Sequence, residues 1–238
     1  MDTASCTWAI VGIGRLGQAL LTRFQETNFS LGIYHPDIQK SEACAQAYSH
    51  HNILSKGQLV RTDIIILALP AQQIEPFIDE LLPHLTETPS PLFINMATTA
   101  STAHLRQHYP SLAWASMKFM GQADVLRENG NGLFVTEEIT PSDDIRNITV
   151  LHTFSLIGHV TSDQESTVEE VNRMATYYAI KAAKELEIAM RERGFAELYQ
   201  KRALTSLIPG VIRSYAENTL GHFGKSVARQ FDNSQSKN

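Results

Sequence analysis

Three glycines near the start of the chain have the spacing of a phosphate-binding turn. Gly12, Gly14 and Gly17 form the pattern G-x-G-x-x-G within VGIGRLGQALLTRF. In a dinucleotide-binding turn, the first glycine permits the tight turn, the second lets the backbone approach a pyrophosphate, and the third lets the helix pack closely on the strand. The N-terminus of that helix offers N–H groups and a positive dipole end to the phosphates.

The surroundings of the glycines decide between a dinucleotide site and an ordinary glycine turn in some other α/β fold, because the pattern alone is weak evidence. Here it follows the apolar run WAIV directly. It also opens a helix whose apolar face is Leu16, Ala19, Leu20 and Phe24. This setting predicts a dinucleotide site formed by Gly12, Ile13, Gly14, Arg15, Leu16 and Gly17.

The end of the second strand bears on which dinucleotide is bound. An NAD site usually has an acidic residue there, about 20 residues after the glycines, to accept a hydrogen bond from the ribose 2′-hydroxyl. This chain has IYHPDIQKS, with His35 at that place, and Asp37 is predicted to lie in the first turn of the next helix. His35, with Lys40 and Ser41 nearby, would tolerate a 2′-phosphate. The sequence therefore favours NADP, with NAD possible because no arginine is present.

Short apolar runs alternate with amphipathic segments between Thr7 and about Val160. This alternation predicts the strands and helices that position these residues. Strands are predicted at residues 8–11, 29–34, 63–69, 91–96, 113–117 and 132–136, with a helix starting near Pro141. The Ile, Leu and Val runs are typical of strands covered on both faces. Residues 1–160 are thus predicted to form a Rossmann-type α/β domain with a doubly wound, mostly parallel sheet.

The remainder of the chain is predicted to be all-helical. Apolar residues from Val168 to Ala189 recur at steps of three and four, which predicts a helix of about seven turns whose stripe needs a partner. A second helical stretch follows Gly194, and Pro209 and Gly210 are predicted to break or kink it. We therefore predict a smaller helical domain at residues 161–230, which completes the substrate cleft and dimerises, and a frayed polar tail at 231–238.

Three stretches in this order resemble the pyrroline-5-carboxylate reductases and the deazaflavin-dependent NADP oxidoreductases of the 6-phosphogluconate dehydrogenase-like superfamily. They are IVGIGRLGQAL, TDIIILALPAQQIEPFIDEL and FINMATTASTAHLRQHYP. The resemblance implies that Leu69, Pro70 and Gln72 wall the nicotinamide and ribose, and that Met96, Ala97 and Thr98 lie beside the nicotinamide. It also implies hydride transfer between NADPH and a C=N or C=O group of a small carboxylate-bearing substrate, in a homodimer formed through the C-terminal helices.

The chain departs from the reductases in two places. SMKFMGQADVLRENGNGLFVTEE replaces their Met-Pro-Asn-Thr-Pro stretch and looks more like prephenate dehydrogenases, with Lys118 at the place of their histidine. Lys118 is predicted to anchor a substrate carboxylate or donate a proton, the alternative being a solvated surface lysine. VEEVNRMATYYAIKAAKE replaces the Ser-Gly-Ser-Gly-Pro-Ala motif, so Asn172 and Thr176 are either polar companions in the cleft or surface residues. Two other functions therefore stay open: a prephenate dehydrogenase-like NAD(P) oxidoreductase, or a non-catalytic NADP-binding sensor or scaffold.

Composition argues against several other classes of function. The net charge of −5 comes from scattered charges, which predicts no nucleic-acid or membrane partner. No apolar run of 18 residues and no signal-peptide pattern is present, so the protein is predicted to be cytoplasmic. Cys6 and Cys44 are predicted to be two buried free thiols. His104 and His108 have metal-pair spacing but are better explained by a surface helix, and no metal is predicted.

Overall fold

The computed structural model describes residues 6–85, 89–140 and 144–235. It divides into two compact units, Met1–Arg173 and Met174–Asn238. The division falls inside one long helix, whereas the sequence placed the domain boundary after residue 160. The predicted helix start at Pro141 lies outside the described residues.

The first unit contains a six-stranded parallel sheet. Its strands are β1 (Trp8–Val11), β2 (Gly32–Tyr34), β3 (Asn52–Ile53), β4 (Ile64–Leu67), β5 (Leu92–Asn95) and β6 (Ala113–Ser116). Their order is β3-β2-β1-β4-β5-β6. The order reverses between β1 and β4, and ligands of such sheets bind outside the carboxyl ends of the strands at that point. The predicted Rossmann-type fold is confirmed.

Both faces of this sheet are buried, as the continuous apolar runs predicted. Trp8 and Ile10 of β1 pack in one apolar cluster with Phe24, while Ala9 and Val11 pack in a second with Ile78. Successive side chains of a strand point to opposite faces, so the two clusters lie on the two sides of the sheet. The helices that cover it are α1 (Arg15–Glu26), α2 (Ile38–Ala47), α3 (Lys56–Leu59), α4 (Ala71–Leu81), α5 (Thr102–His108), α6 (Ala123–Asn129) and α7 (Arg146–Ser155).

A second, three-stranded sheet follows, made of β7 (Lys118–Met120), β8 (Gly132–Thr136) and β9 (Gly158–Ser162). β8 pairs antiparallel with β7 and parallel with β9. Only β8 was predicted. β7 is three residues long and begins two residues after β6, and β9 is the half-polar run GHVTS, so neither gives an apolar signal of its own.

The long helix α8 (Glu165–Glu192) covers the predicted apolar stripe. After it come α9 (Glu197–Arg202), a π-helical segment (Ala203–Leu207), α10 (Ile208–Ala216) and α11 (His222–Gln235). The predicted break at Pro209 is not found, because helical structure continues from α9 through the π-helical segment into α10. The local irregularity is that π-helical segment, which ends two residues before Pro209. The predicted kink stays a prediction, and the chain turns after Asn218, which has a φ of +57°. α11 also includes residues 231–235 of the predicted tail; residues 236–238 are outside the description.

Within the described part of the chain, no helix is long and apolar enough to cross a membrane. Cys6 and Cys44 are free thiols, as predicted, but only Cys44 is buried, whereas Cys6 is half-buried.

His51 is a buried titratable residue that precedes β3, the edge strand of the main sheet, and forms hydrogen bonds with nearby backbone. Its Nδ1 accepts a hydrogen bond from the Leu31 N–H at 3.0 Å, and its Nε2 lies 2.9 Å from the Leu21 carbonyl oxygen. An Nδ1 that accepts carries no proton, so the ring is neutral with its hydrogen on Nε2. Burial lowers the pKa of His51, although the hydrogen bond to Leu21 acts in the opposite direction.

We expect this histidine to make the fold less stable in mild acid. Because the pKa is lower in the folded state, the stabilisation is complete above the ordinary histidine pKa of about 6.5 and is lost as the pH falls below it. Urea unfolding at several pH values should show this slope in the wild type and in His50→Gln, which changes the exposed neighbour. His51→Gln should flatten the slope, and an unchanged slope would contradict the assignment.

Candidate functional site

The three glycines of the turn occupy different steric environments. Gly12 has a φ of +101°, and a Cβ there would lie 2.3 Å from the Ala68 carbonyl oxygen. A Cβ on Gly17 would lie 1.9 Å from the Gly12 carbonyl oxygen. A Cβ on Gly14 would meet nothing within 4 Å. The first and third glycines are therefore required by the turn itself, whereas the second leaves open space in front of the helix α1 N-terminus.

A cavity of about 540 Å³ borders this turn, and we call it the glycine-turn cavity. It brings together six of the residues predicted to bind the cofactor, namely Gly12, Ile13, Gly14, His35, Leu69 and Pro70. Gln73, Phe77 and Glu80 of α4 also line it and were not predicted. Their one signal is helical spacing after the Pro70 loop, which also fits ordinary surface positions.

Near the end of β2, the glycine-turn cavity has a histidine and a lysine. The His35 Nδ1 accepts a hydrogen bond from the Asp37 N–H at 2.9 Å. The Asp37 carboxylate caps α2 by accepting from the Gln39 N–H at 3.0 Å, and it lies 3.8 Å from the Lys40 Nζ. Lys40 lines the cavity. Glu80 is the acidic residue of the lining, and its carboxylate is paired with the Lys56 ammonium.

The other predicted cofactor residues are not among those that line the glycine-turn cavity. Arg15 is the exposed first residue of α1, Leu16 is half-buried and Gly17 is buried. Met96 and Ala97 are buried after β5. Gln72 lines a separate cavity with Thr99 and His104, and Thr98 lines a third. Their contact with a cofactor stays a prediction.

That third cavity, of about 600 Å³, is lined by residues 98–101 and by residues that follow β8 and β9; we call it the acidic cavity. Five carboxylates line it: Glu137, Glu138, Asp163, Glu165 and Glu169. The described lining contains no lysine or arginine. Glu137 is paired with Arg106 and Glu165 with the buried Lys118, so the excess negative charge falls mainly on Glu138, Asp163 and Glu169.

Lys118 is fully buried, and its ammonium contacts the stretch from Ala97 to Ala100, most of which lines the acidic cavity. Its Nζ donates to the carbonyl oxygens of Ala97 at 2.6 Å and Ala100 at 2.9 Å, and lies 3.2 Å from the Glu165 Oε1. Burial lowers the pKa of Lys118, and the Glu165 charge opposes that shift. Three partners occupy the three ammonium hydrogens, so no donor remains for the substrate carboxylate that the sequence assigned to this residue. The solvated surface lysine of the alternative interpretation is not what the structure shows either.

Glu165, which sequence reasoning missed, is the partner of Lys118. Its Oε2 accepts from the Thr102 N–H at 2.9 Å, and the Thr102 hydroxyl donates to its Oε1. Burial acts to raise the pKa of Glu165, but the Lys118 charge and the hydrogen bonds from Ser116 and Thr102 outweigh it, so the pKa lies below the ordinary value. Thr102 and Glu165 lie 63 residues apart in the chain, and nothing in the local sequence predicts their contact.

Two further candidates lie on α8, and Asn172, the one in the first unit, lines none of the cavities described above. The Asn172 Nδ2 donates to the Phe119 carbonyl oxygen at 3.1 Å, while Thr176 is exposed on α8 in the second unit. Their predicted role in the cleft stays a prediction. His104 and His108 lie on α5 with ring centroids 6.0 Å apart, and His104 is 3.3 Å from Glu75. Among the described residues, no group of three side chains is placed to hold a metal ion.

Comparison with known proteins finds a family model that matches part of the first unit. Residues 7–92 match the model of the family described as NADP oxidoreductase, coenzyme F420-dependent. No protein with a curated description matches the chain significantly in sequence.

Solved structures are similar over most of the chain. A pyrroline-5-carboxylate reductase from Coxiella burnetii superimposes with a TM-score of 0.67 at 16% identity, covering 95% of this chain and 84% of that one. The Plasmodium falciparum pyrroline carboxylate reductase with NADP bound gives 0.62 at 15% identity, covering 98% and 92%. An imine reductase from Myxococcus stipitatus in complex with NADP+ gives 0.61 at 15%, covering 89% and 78%.

These findings confirm the resemblance that the sequence motifs suggested. The family model covers the glycine turn and the strands up to β5, and the matched proteins are NAD(P)-dependent oxidoreductases. At these identities, the structural likeness establishes the fold and leaves the reaction to be argued from the chain's own residues.

Proposed function

We propose that this chain, whose residues 7–92 match a family of NADP oxidoreductases, transfers a hydride between NADPH and a C=N group of a small substrate. The open space at Gly14, in front of the uncapped N-terminus of α1, carries the proposal. Backbone N–H groups and the helix dipole make that space suited to a pyrophosphate. When bound, NADPH supplies the hydride, while the protein orients it and excludes water.

Different residues around the glycine turn would bind different parts of the cofactor. Gly12, Ile13, Gly14 and the first turn of α1 (Arg15, Leu16 and Gly17) would hold the pyrophosphate, with Leu69, Pro70 and Gln72 walling the ribose and nicotinamide. Met96, Ala97 and Thr98 would lie beside the nicotinamide. His35 and Lys40 support NADP over NAD because a 2′-phosphate needs cationic or hydrogen-donating groups at the end of β2.

We expect the His35→Asp variant to shift the cofactor preference toward NADH. A carboxylate at this place would repel the 2′-phosphate and accept a hydrogen bond from a free 2′-hydroxyl. The Kd for NADPH should rise about tenfold or more while that for NADH stays equal or falls. Parallel fluorescence titrations of the variant and the wild type measure both values, and an equal change for the two cofactors would contradict the assignment.

The acidic cavity supports a cationic substrate. A protonated C=N group, an iminium, carries a positive charge and accepts a hydride more readily than the neutral imine. Glu138, Asp163 and Glu169 would stabilise that charge. A substrate carboxylate would face the same negative groups without a lysine or arginine in the described lining. The carboxylate-bearing substrate implied by the family resemblance is therefore less well supported than a cationic imine.

Turnover of matched substrates tests this proposal. We would follow NADPH oxidation with 1-pyrroline and 1-piperideine, and with the same rings bearing a carboxylate. The proposal expects a higher kcat/KM for the rings without the carboxylate. Turnover restricted to carboxylate-bearing imines would contradict the cationic substrate. Turnover of prephenate alone, supplied with NADP+ or NAD+ and followed as reduction of that cofactor, would favour the dehydrogenase alternative. Tight NADPH binding with no turnover across the panel would favour a sensor or scaffold.

The second unit supports a homodimer. Among its described residues, only Ala203 is buried. Large apolar side chains are exposed along all of its helices, including Tyr177, Tyr178, Ile188, Leu198, Tyr199, Val211, Ile212, Tyr215, Phe223 and Val227. So much exposed apolar surface is typical of an interface. Close packing of these helices between two copies would cover it.

We expect the purified protein to sediment as a dimer and the Phe223→Glu variant to shift toward monomer. Phe223 is 84% exposed, so a charge there is tolerated by the free subunit but opposes burial in an interface. The control is Val125→Glu, a similar change at a half-exposed position on α6 of the first unit. Sedimentation velocity distinguishes the two, and a monomeric wild type would contradict the proposal.

A further inference from the structure

The buried ion pair of Lys118 and Glu165 contacts one segment of the chain, residues 97–102, from two sides. This segment follows β5 and carries Thr98 and Thr99, which line the acidic cavity. We infer that the pair is a positioning element that holds this segment against the nicotinamide end of the cofactor. The inference rests on the proposed function.

The lysine holds the middle of the segment. Lys118 lies at the start of β7, two residues beyond β6, and its side chain is fully buried. It donates to the carbonyl oxygens of Ala97 and Ala100, on either side of Thr98 and Thr99. One ammonium group therefore fixes the two ends of the short stretch that faces the cavity.

The glutamate holds the end of the segment where α5 begins. Glu165, at the start of α8, accepts hydrogen bonds from the N–H and the hydroxyl of Thr102. The Asn95 Nδ2 donates to the Ala100 carbonyl oxygen at 2.8 Å and to the Thr102 hydroxyl oxygen at 2.9 Å. The Asn95 Oδ1 accepts from the Ala97 N–H at 3.1 Å. The ion pair and Asn95 thus form one connected polar network around the segment.

Stability alone does not account for an ion pair at this place. Removing two charges from water is costly, and a well-packed apolar pair of similar volume often serves stability equally well. Apart from the contact of Glu165 with the Ser116 hydroxyl at the end of β6, the hydrogen bonds described for the two charged groups end on the segment or on each other. Because the Lys118 ammonium is buried with its hydrogens occupied, it acts through the segment rather than on a ligand.

The test compares two ligands that share the phosphate end and differ at the nicotinamide. NADP+ contains the nicotinamide, whereas 2′-phospho-ADP-ribose lacks it. The variant is the double substitution Lys118→Met with Glu165→Gln, which removes both charges and leaves no buried ion unpaired. We expect its Kd for NADP+ to rise about tenfold, with the Kd for 2′-phospho-ADP-ribose changed less than about twofold. Hydrogen exchange should become faster at residues 97–102 and stay the same at residues 12–17.

A matched control removes an exposed ion pair of the same unit. Arg127→Met with Asp124→Asn changes a surface pair on α6 and should alter neither affinity. An equal loss for both ligands in the Lys118–Glu165 double variant, or unchanged affinities with unchanged exchange at residues 97–102, would overturn the inference. Failure of the wild type to bind either ligand would instead refute the proposed function, so the two failures are distinguishable.

Discussion

The Gly14→Asp variant is expected to raise the Kd for NADPH more than about a hundredfold without loss of stability. Gly14 is the N-cap of α1, with a φ of −72° that any residue adopts, and a Cβ there meets nothing within 4 Å. Aspartate is among the best N-cap residues and would satisfy an N–H group of the first turn. The same carboxylate would occupy the pyrophosphate space, where repulsion between charges about 4 Å apart amounts to several kcal/mol.

Opposite effects on binding and stability make this variant informative. Fluorescence titration measures the Kd, and thermal unfolding without ligand measures the melting temperature, which should stay equal or rise slightly. The control is Gly17→Ala, whose Cβ would lie 1.9 Å from a backbone oxygen and should lower the melting temperature through overpacking. NADPH binding by Gly14→Asp at wild-type affinity would show that the pyrophosphate lies elsewhere.

The single substitution Lys118→Met is expected to lower the free energy of unfolding by about 3–5 kcal/mol. It leaves Glu165, whose side chain is 16% exposed, as a largely buried charge with no cation beside it. The Ala97 carbonyl oxygen also loses its donor. For a chain of this size, that loss corresponds to a melting temperature lower by about 10 °C.

The double variant Lys118→Met with Glu165→Gln separates the cost of an unpaired buried charge from the cost of altered packing. It should recover more than half of the lost stability, because no unpaired charge remains. Urea unfolding of the wild type, the two single variants and the double variant gives the coupling energy directly. A single variant within about 1 kcal/mol of the wild type would contradict the buried ion pair.

The fold could be predicted from the sequence because its signals are local. Runs such as IIIL of β4 mark strands buried on both faces, and the glycine spacing marks the turn between β1 and α1. The same holds for the cap of α5: Ser101, a residue type that favours N-caps, accepts from the His104 N–H. Signals of this kind depend on residues a few positions apart.

The part of the site around β7 could not be predicted, because it depends on contacts between distant segments. The sequence gives no reason for Glu165, at the start of a long helix, to meet a lysine 47 positions earlier. Lys118 was therefore assigned to a ligand, although its fully buried ammonium is held by two carbonyl oxygens and Glu165. The acidic cavity is also assembled from residues after β5, β8 and β9, so its charge emerges only in the folded chain.

Parallel titration of the wild-type protein with NADPH and NADH tests the central claim most directly. NADPH should bind saturably at micromolar concentrations, as measured by the change in nicotinamide fluorescence. NADH should bind more weakly. Absence of binding by both cofactors at these concentrations would contradict the dinucleotide site, and with it the proposed oxidoreductase function.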